Sequence, residues 1–274
     1  MPKFVVLPEA SSLQKMKSYS SELWHYRELL YFLVWKDIKV KYKQTSLGVA
    51  WAVLQPVIQM ILFTFLFGKF ARLPNDGLPY PIFYYSGLLP WTYFAATLTM
   101  ASNSIVTNTT LVTKVYFPRI FLPVASVLSG LIDLFISIVI FVGFLFYYKI
   151  AWNSMMLLFP LVILLLTLFL IGTGLLLSAI NVNFRDVKHV VPFLVQLWFF
   201  ASPIVYPSSM VPEHYQWIVS INPIVGMIEM IRALITGNVL PWQSLGISCL
   251  MTLLVLVLGC WYFRRAELRF ADVI

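Results

Sequence analysis

Long apolar stretches alternate with short polar ones along most of this chain. A spanning helix needs about 20 mostly apolar residues, and six stretches qualify: 48–68, 82–102, 121–147, 155–180, 190–206 and 243–263. The fifth is short and carries Pro192 and Pro203, which a membrane helix tolerates when neighbours satisfy the freed carbonyls. A seventh apolar stretch, 222–236, has Asn222 as an N-cap, Pro223 at its first helical position and Gly237 just past its end. As a helix it extends about 22 Å, short of the roughly 30 Å hydrocarbon core. Glu229 and Arg232 sit in its middle, so it reads as a re-entrant or interfacial helix.

Residues 21–46 follow a different pattern. On a helical wheel Trp24, Tyr31, Trp35, Ile38 and Tyr42 share one face, and His25, Lys36, Lys39 and Lys43 another. Lys41 interrupts the apolar face. Rings at headgroup level beside lysines directed at anionic lipid make an in-plane interfacial helix, with Trp35, Lys36, Lys39, Tyr42 and Lys43 as its candidate contacts. A generic juxtamembrane basic patch is the alternative. Residues 1–20 and 264–274 read as polar tails around a transmembrane domain at 47–263. The first spanning run starts too late for the short apolar core of a cleavable signal peptide.

Composition turns this pattern into a class. Apolar residues make up 60% of the 274 and charged ones 11%, against roughly 45–50% and 25% in soluble domains. So few charges cannot cover a soluble surface, and such hydrophobicity opposes disorder. An all-α integral membrane protein is expected. The net charge of +8 then indicates loops on an anionic leaflet and argues against nucleic acid as a partner. With six spans, segments 1–47, 103–120, 181–189 and 264–274 share 15 Lys and Arg, and the opposite side holds 4. The positive-inside rule places both termini in the cytoplasm. A seventh crossing would carry Arg264, Arg265 and Arg269 outside. Cys249 and Cys260 lie about 16 Å apart along one helix, too far for a disulfide.

Catalytic and metal-binding patterns are missing from the sequence. No GxxxxGK[ST] loop, HExxH or CxxC occurs, and His25, His189 and His214 all lie outside the spans. No cofactor or metal is expected on this chain. Asp133 is the only ionisable residue deep in a span. It shares a face with Ser126, Ser129, Gly130 and Ser137, which fits close helix packing better than a proton relay.

Three mixed aromatic and polar sets stand out. In the first span Gly48, Trp51, Gln55 and Gln59 recur at helical spacing. Near the second come Tyr80, Phe83, Tyr84, Tyr85, Trp91, Tyr93 and Phe94; in the fifth, Gln196, Trp198, Phe199, Phe200, Ser202 and Tyr206. Amides at that depth must face protein or a wet cavity, and aromatic faces stack on sugar rings. Trp51, Gln55, Gln59, Trp91, Trp198 and Phe199 are therefore the candidate lining of a carbohydrate-compatible conduit. Inter-helical hydrogen bonding is the competing role for the amides.

WKDIKVKYKQTSLGVAWAVLQP at 35–56 resembles the opening signature of the membrane subunits of bacterial polysaccharide-exporting ABC transporters, the type-2 permease family. LVTKVYFPRIFLP (111–123), NVNFRDVKHVV (181–191), SPIVYP (202–207) and the stretch at 222–237 resemble the same family in the same order. The resemblance implies a homodimer of six-span permeases in the inner (plasma) membrane, paired with two copies of a cytoplasmic ATPase that holds ATP and Mg. It implies export of an undecaprenyl-linked glycan such as O-antigen, capsule or teichoic acid. It also implies that segment 111–120, with Lys114, Tyr116, Phe117, Pro118 and Arg119, couples to the ATPase. Arg185 and Asp186 match a cytoplasmic pair of the family, although a local ion pair or helix cap explains them equally well. The spans leave no room for an ATPase domain of ordinary size, in agreement.

Three other functions compete. A drug or small-lipid exporter of the same superfamily fits the opening signature less well. A membrane-embedded glycolipid enzyme would need acidic residues at a membrane face to hold metal and phosphate, and only Asp186 lies between the fourth and fifth spans. A passive channel lacks any ring-forming charged motif.

Overall fold

A computed structural model describes residues 21–43 and 49–270; the 1–20 tail, Gly48 and residues 271–274 lie outside the described residues. Among the described residues the regular structure is helical. A turn of helix at 21–25 leads into α1 (Arg27–Lys43). α2 (Val49–Phe63) runs on into a π-helical stretch, Thr64–Phe70. α3 (Tyr80–Thr107) and the short α4 (Thr109–Lys114) follow, then α5 (Phe121–Tyr147). A 3-10 turn opens α6 (Phe159–Asn183), and α7 spans Val187–Ala201. The chain ends with α8 (Glu213–Ile221), α9 (Pro223–Thr236) and α10 (Trp242–Glu267).

Four helical stretches are long and apolar enough to cross a membrane alone: Ala50–Phe70, Phe121–Tyr147, Ser154–Asn183 and Trp242–Glu267. The pair α8–α9, bent by 96°, makes a fifth if it is one broken span. Two expected spans are not among them, for opposite reasons. α3 has the length, 28 residues, but is rich in Ser, Thr, Asn and Tyr. α7 is apolar but only 15 residues long, ending at Ala201 where the stretch 190–206 was expected to continue.

α3 tolerates its polarity because it is surrounded. It packs on α2, α5, α6, α7 and α9, and every residue from Ile82 to Trp91 is buried. Its serine hydroxyls turn back on the helix: Ser86 Oγ donates to the Phe83 carbonyl at 2.7 Å and Ser104 Oγ to that of Ala101 at 2.7 Å. Asn181 on α6 donates to the Ser102 carbonyl at 2.9 Å. Satisfied groups of this kind are what an apolar surround demands. The aromatic set expected to stack sugars is mostly core here, since Phe83, Tyr84, Tyr85 and Phe94 are fully buried.

The non-helical stretch after α7 is held by the same logic. Ser202 through Val205 are buried without helical bonding of their own. Tyr80 donates its hydroxyl to the Val205 carbonyl at 2.8 Å. Arg232, on α9, donates to the Ile204 carbonyl at 3.1 Å and lies 3.7 Å over the Phe83 ring. Asn222 accepts a capping bond from Ile224 N at 3.1 Å, and Gly237 closes α9 at φ 70°. The mid-helix cation that looked anomalous in sequence thus staples three segments together.

Helix α10 approaches α6 at two facing glycines. A Cβ on Gly172 would lie 2.7 Å from Leu256 Cα, and one on Gly259 would lie 2.2 Å from the Gly172 carbonyl oxygen. Backbone cannot retreat as a side chain can, so this crossing admits only glycine. Gly143 on α5 has open space around it. Gly172→Leu is expected to lower thermal stability in detergent by about 1–3 kcal/mol or more, whereas Gly143→Leu leaves the melting temperature within error.

Candidate functional site

The sequence-predicted conduit residues come from three helices, and five of the six converge on one cavity. Trp51, Gln55 and Gln59 enter from α2, Trp91 from α3 and Phe199 from α7. Trp198 does not line it; its ring stands edge-on to Phe94 at 5.1 Å, within the wall. Tyr84, Thr92, Thr97 and Thr99 add to the α3 side, Gly130, Asp133 and Ser137 come from α5, and Lys41 and Tyr42 from α1.

The cavity measures about 1130 Å³, above the ~300–1,000 Å³ usual for a small-molecule site. Trp51, Ile58 and Phe200 line it while 52%, 54% and 63% exposed, so it is open on the flank framed by α2 and α7. Its aromatic wall is continuous. Phe63 stacks on Tyr84 at 4.8 Å, Phe199 meets Phe63 edge-on at 6.0 Å, and Trp91 meets Phe199 at 5.6 Å. The Gln59 carbonyl oxygen is buried, with no hydrogen-bond partner among the described residues.

One end of the cavity is polar. Asp133, twelve residues into α5 and so about 18 Å along it, accepts hydrogen bonds from Lys41 Nζ and the Tyr42 hydroxyl. The expected small-residue face is present: Ser126, Ser129 and Ser137 are buried, and Gly130 lets Thr97 and Tyr93 close in. What the sequence did not reveal is that Lys41, the blemish on the amphipathic wheel, is the partner of Asp133. The signal available was a lysine out of place on an apolar helix face and a lone carboxylate deep in a span, 92 residues apart.

α1 packs along α5. Leu33 is its buried anchor, Ile38 and Tyr42 are half-buried, and Trp24, Tyr31 and Trp35 remain exposed. Lys39 lies 5.5 Å from the Trp35 ring and Lys43 is exposed. Lys36 donates to Asn108 Oδ1 at 2.8 Å and pairs with Asp37 at 3.2 Å.

Segment 111–120 closes one end of the bundle. Its residues join a second core in which Leu33, Val112, Phe117, Phe121, Val182 and Phe263 meet. Phe117 is 4% exposed, whereas Tyr116 is 79% exposed and Lys114 is exposed too. Tyr116 donates to Glu22 Oε1 at 3.1 Å, and that hydrogen bond to a carboxylate holds the phenol above its ordinary pKa. Pro118 is buried. Arg119 donates through its backbone N–H to Glu267 Oε1 at 2.8 Å and through its guanidinium to the Glu267 carbonyl at 2.6 Å. Of the five expected coupling residues, then, Lys114 and Tyr116 are presented outward, while Phe117, Pro118 and Arg119 hold the segment in place. Asp186 stands at the N-cap of α7 without a side-chain capping bond.

Comparison with known proteins accords with this architecture. Residues 28–236 match the family described as ABC-2 type transporter. The chain is 31% identical to an O-antigen export system permease protein of Klebsiella pneumoniae, over 90% of this chain and 95% of that one. It is 33% identical to an O-antigen export system permease protein of Myxococcus xanthus, over 80% and 85%. A polysialic acid transport protein of Escherichia coli is 24% identical over 85% and 91%. The chain belongs to the ABC-2 type transporter family, and it is a multi-pass membrane protein.

Phe117→Ala is expected to destabilise the fold by about 3–5 kcal/mol, the cost of emptying a buried aromatic site. Tyr116→Ala, at the surface, leaves the melting temperature of the detergent-purified protein within 2–3 °C of the parent.

Proposed function

We propose that this chain is the transmembrane subunit of an ATP-driven exporter that moves a lipid-linked polysaccharide of O-antigen, capsule or teichoic acid type across the bacterial inner membrane. The observation that carries the reading is the cavity, where aromatic faces and unpaired amides from α2, α3 and α7 meet. A sugar polymer is wide and strongly hydrated. Its path needs many weak contacts that replace water, because tight sites would trap the chain. Stacking surfaces with scattered amides supply them.

The open flank supports a homodimer. Gln55 and Gln196 line a cavity that none of the described residues covers on that side, and polar groups at membrane depth do not face lipid. A second copy closing the flank would complete the wall. Six crossings with both termini cytoplasmic keep the 15-to-4 charge asymmetry. In that arrangement α3 is a span shielded by its neighbours, and α7 reaches across together with residues 202–206. The bent pair α8–α9 is a re-entrant hairpin on the outer side. α1 begins at the inner interface, with Trp35 and Lys39 toward lipid, and its far end follows α5 inward to Asp133. Lys114 and Tyr116 form the contact for two copies of a cytoplasmic ATPase, which binds ATP and Mg; this chain catalyses nothing.

Deletion of the gene tests the reading. Surface polysaccharide is expected to disappear while a lipid-linked intermediate accumulates inside. Unchanged surface glycan, with sensitivity to an amphiphilic drug instead, would overturn it in favour of a drug exporter. In complemented cells Gln59→Leu is expected to reduce export several-fold without loss of detergent-extracted dimer, and Tyr116→Ala to reduce co-purification of the ATPase. For topology, single cysteines at Ser209 and Asn238 should react with an impermeant external reagent and one at Lys188 should not. Labelling of Asn238 only from inside would mean that α9 crosses the membrane.

A further inference from the structure

The polar end of the cavity is unusual for a structural ion pair. Lys41 and Asp133 side chains are 38% and 24% exposed, and both line the cavity with Tyr42. A pair kept only for stability is often replaceable by apolar side chains of similar volume. Here three polar groups sit on the wall of the cavity, a carboxylate with two donors aimed at it. A carboxylate so placed occupies the position that another anion could take.

We propose that Lys41 and Tyr42, held at the cavity mouth by Asp133, are the receiving site for the phosphate head of an amphiphilic substrate. The proposal rests on the reading of that substrate as a glycan on a polyprenyl carrier, joined through phosphate. Chemistry selects the class. An ammonium offers three donors and a full charge, and a phenol adds one more. Phosphate presents several acceptor oxygens and is bound by lysine as a point charge. Lys41 exchanges the Asp133 carboxylate for the phosphate, so the cation stays paired, and the displaced carboxylate, 24% exposed on the cavity wall, is left to cavity water. Ile58 of α2 lines the same cavity, and with Leu54 and Ile61, exposed on the same helix, it gives the prenyl chain a path along the outside, while the glycan enters the aromatic part of the cavity.

Exchange has a signature that a mere clasp lacks. Losing the cation weakens anion binding; losing the competing carboxylate strengthens it. The full chain is placed in phosphatidylcholine nanodiscs with a short-chain polyprenyl diphosphate carrying one N-acetylglucosamine as probe. Lys41→Gln is expected to weaken binding tenfold or more, and Asp133→Asn to tighten it two- to tenfold, although both variants lose the same ion pair. Lys41→Arg, which keeps the cation, binds more tightly than Lys41→Gln, and thermal unfolding reports whether each variant is folded. Phosphatidylglycerol and inorganic pyrophosphate are expected to bind at least tenfold more weakly than the probe. Equal weakening by Lys41→Gln and Asp133→Asn, or restored parental binding in the swap K41D/D133K, would reduce the pair to a structural clasp. Phosphatidylglycerol binding as tightly as the probe and equally sensitive to Lys41→Gln would make this a site for bilayer lipid and overturn the substrate assignment. These outcomes are independent of the deletion strain: glycan lost there with no opposite-sign effect here sinks the site alone, and glycan retained there sinks the exporter reading.

Discussion

Within lipid, every backbone and side-chain polar group has to find its partner inside the protein. α3 is where that constraint is met most fully, and the other helices are arranged around meeting it. Its serine hydroxyls bond to its own carbonyls, its N-terminal half is enclosed along ten successive residues from Ile82 to Trp91, and five other helices pack on it. The stretch Ser202–Val205, buried without helical bonding of its own, depends on Tyr80 and Arg232, which supply donors to its carbonyls. Gly87 shows the same dependence, since a Cβ there would stand 3.2 Å from Arg232 Nη2. A buried guanidinium, a ring beneath it and a missing side chain act as one unit.

Around this post the cavity forms because α2 and α7 do not cover α3 completely. Their aromatics reach back to it through Phe63, Tyr84, Trp91 and Phe199, leaving amides on the open side. The wall is rigid where rings stack and polar where they stop. Such a surface suits a ligand that slides better than one that docks.

α1 joins two regions that are far apart in sequence. Toward one end, in the turn before Arg27, Glu22 accepts from Tyr116, and within the helix Lys36 donates to Asn108. At the other, Lys41 and Tyr42 hold Asp133 at the cavity. α1, about 25 Å long by its residue count, packs Leu33 into one core with Val112 and Phe117 and brings Lys41 and Tyr42 to the cavity.

Composition alone was enough to place this chain in a membrane, because 11% charge cannot coat a soluble surface. Local chemistry was enough for the ends of α9, since Asn222, Pro223 and Gly237 act within a few bonds of their own position. Helical spacing put Trp51, Gln55 and Gln59 on one face, and that face does line the cavity. Burial was beyond the reach of periodicity: an all-round helix such as α3 has no apolar stripe to read, so its aromatics looked like a lining and are mostly core. Segment 111–120 was legible as a unit but not residue by residue, because Tyr116 and Phe117 are adjacent in chain and opposite in exposure. Trp198 and Phe199 divided in the same way, one in the wall and one on its surface. Lys41 and Asp133 were each visible as misplaced charges; only the packing of α1 on α5 brought them into contact, since no local rule links side chains 92 residues apart.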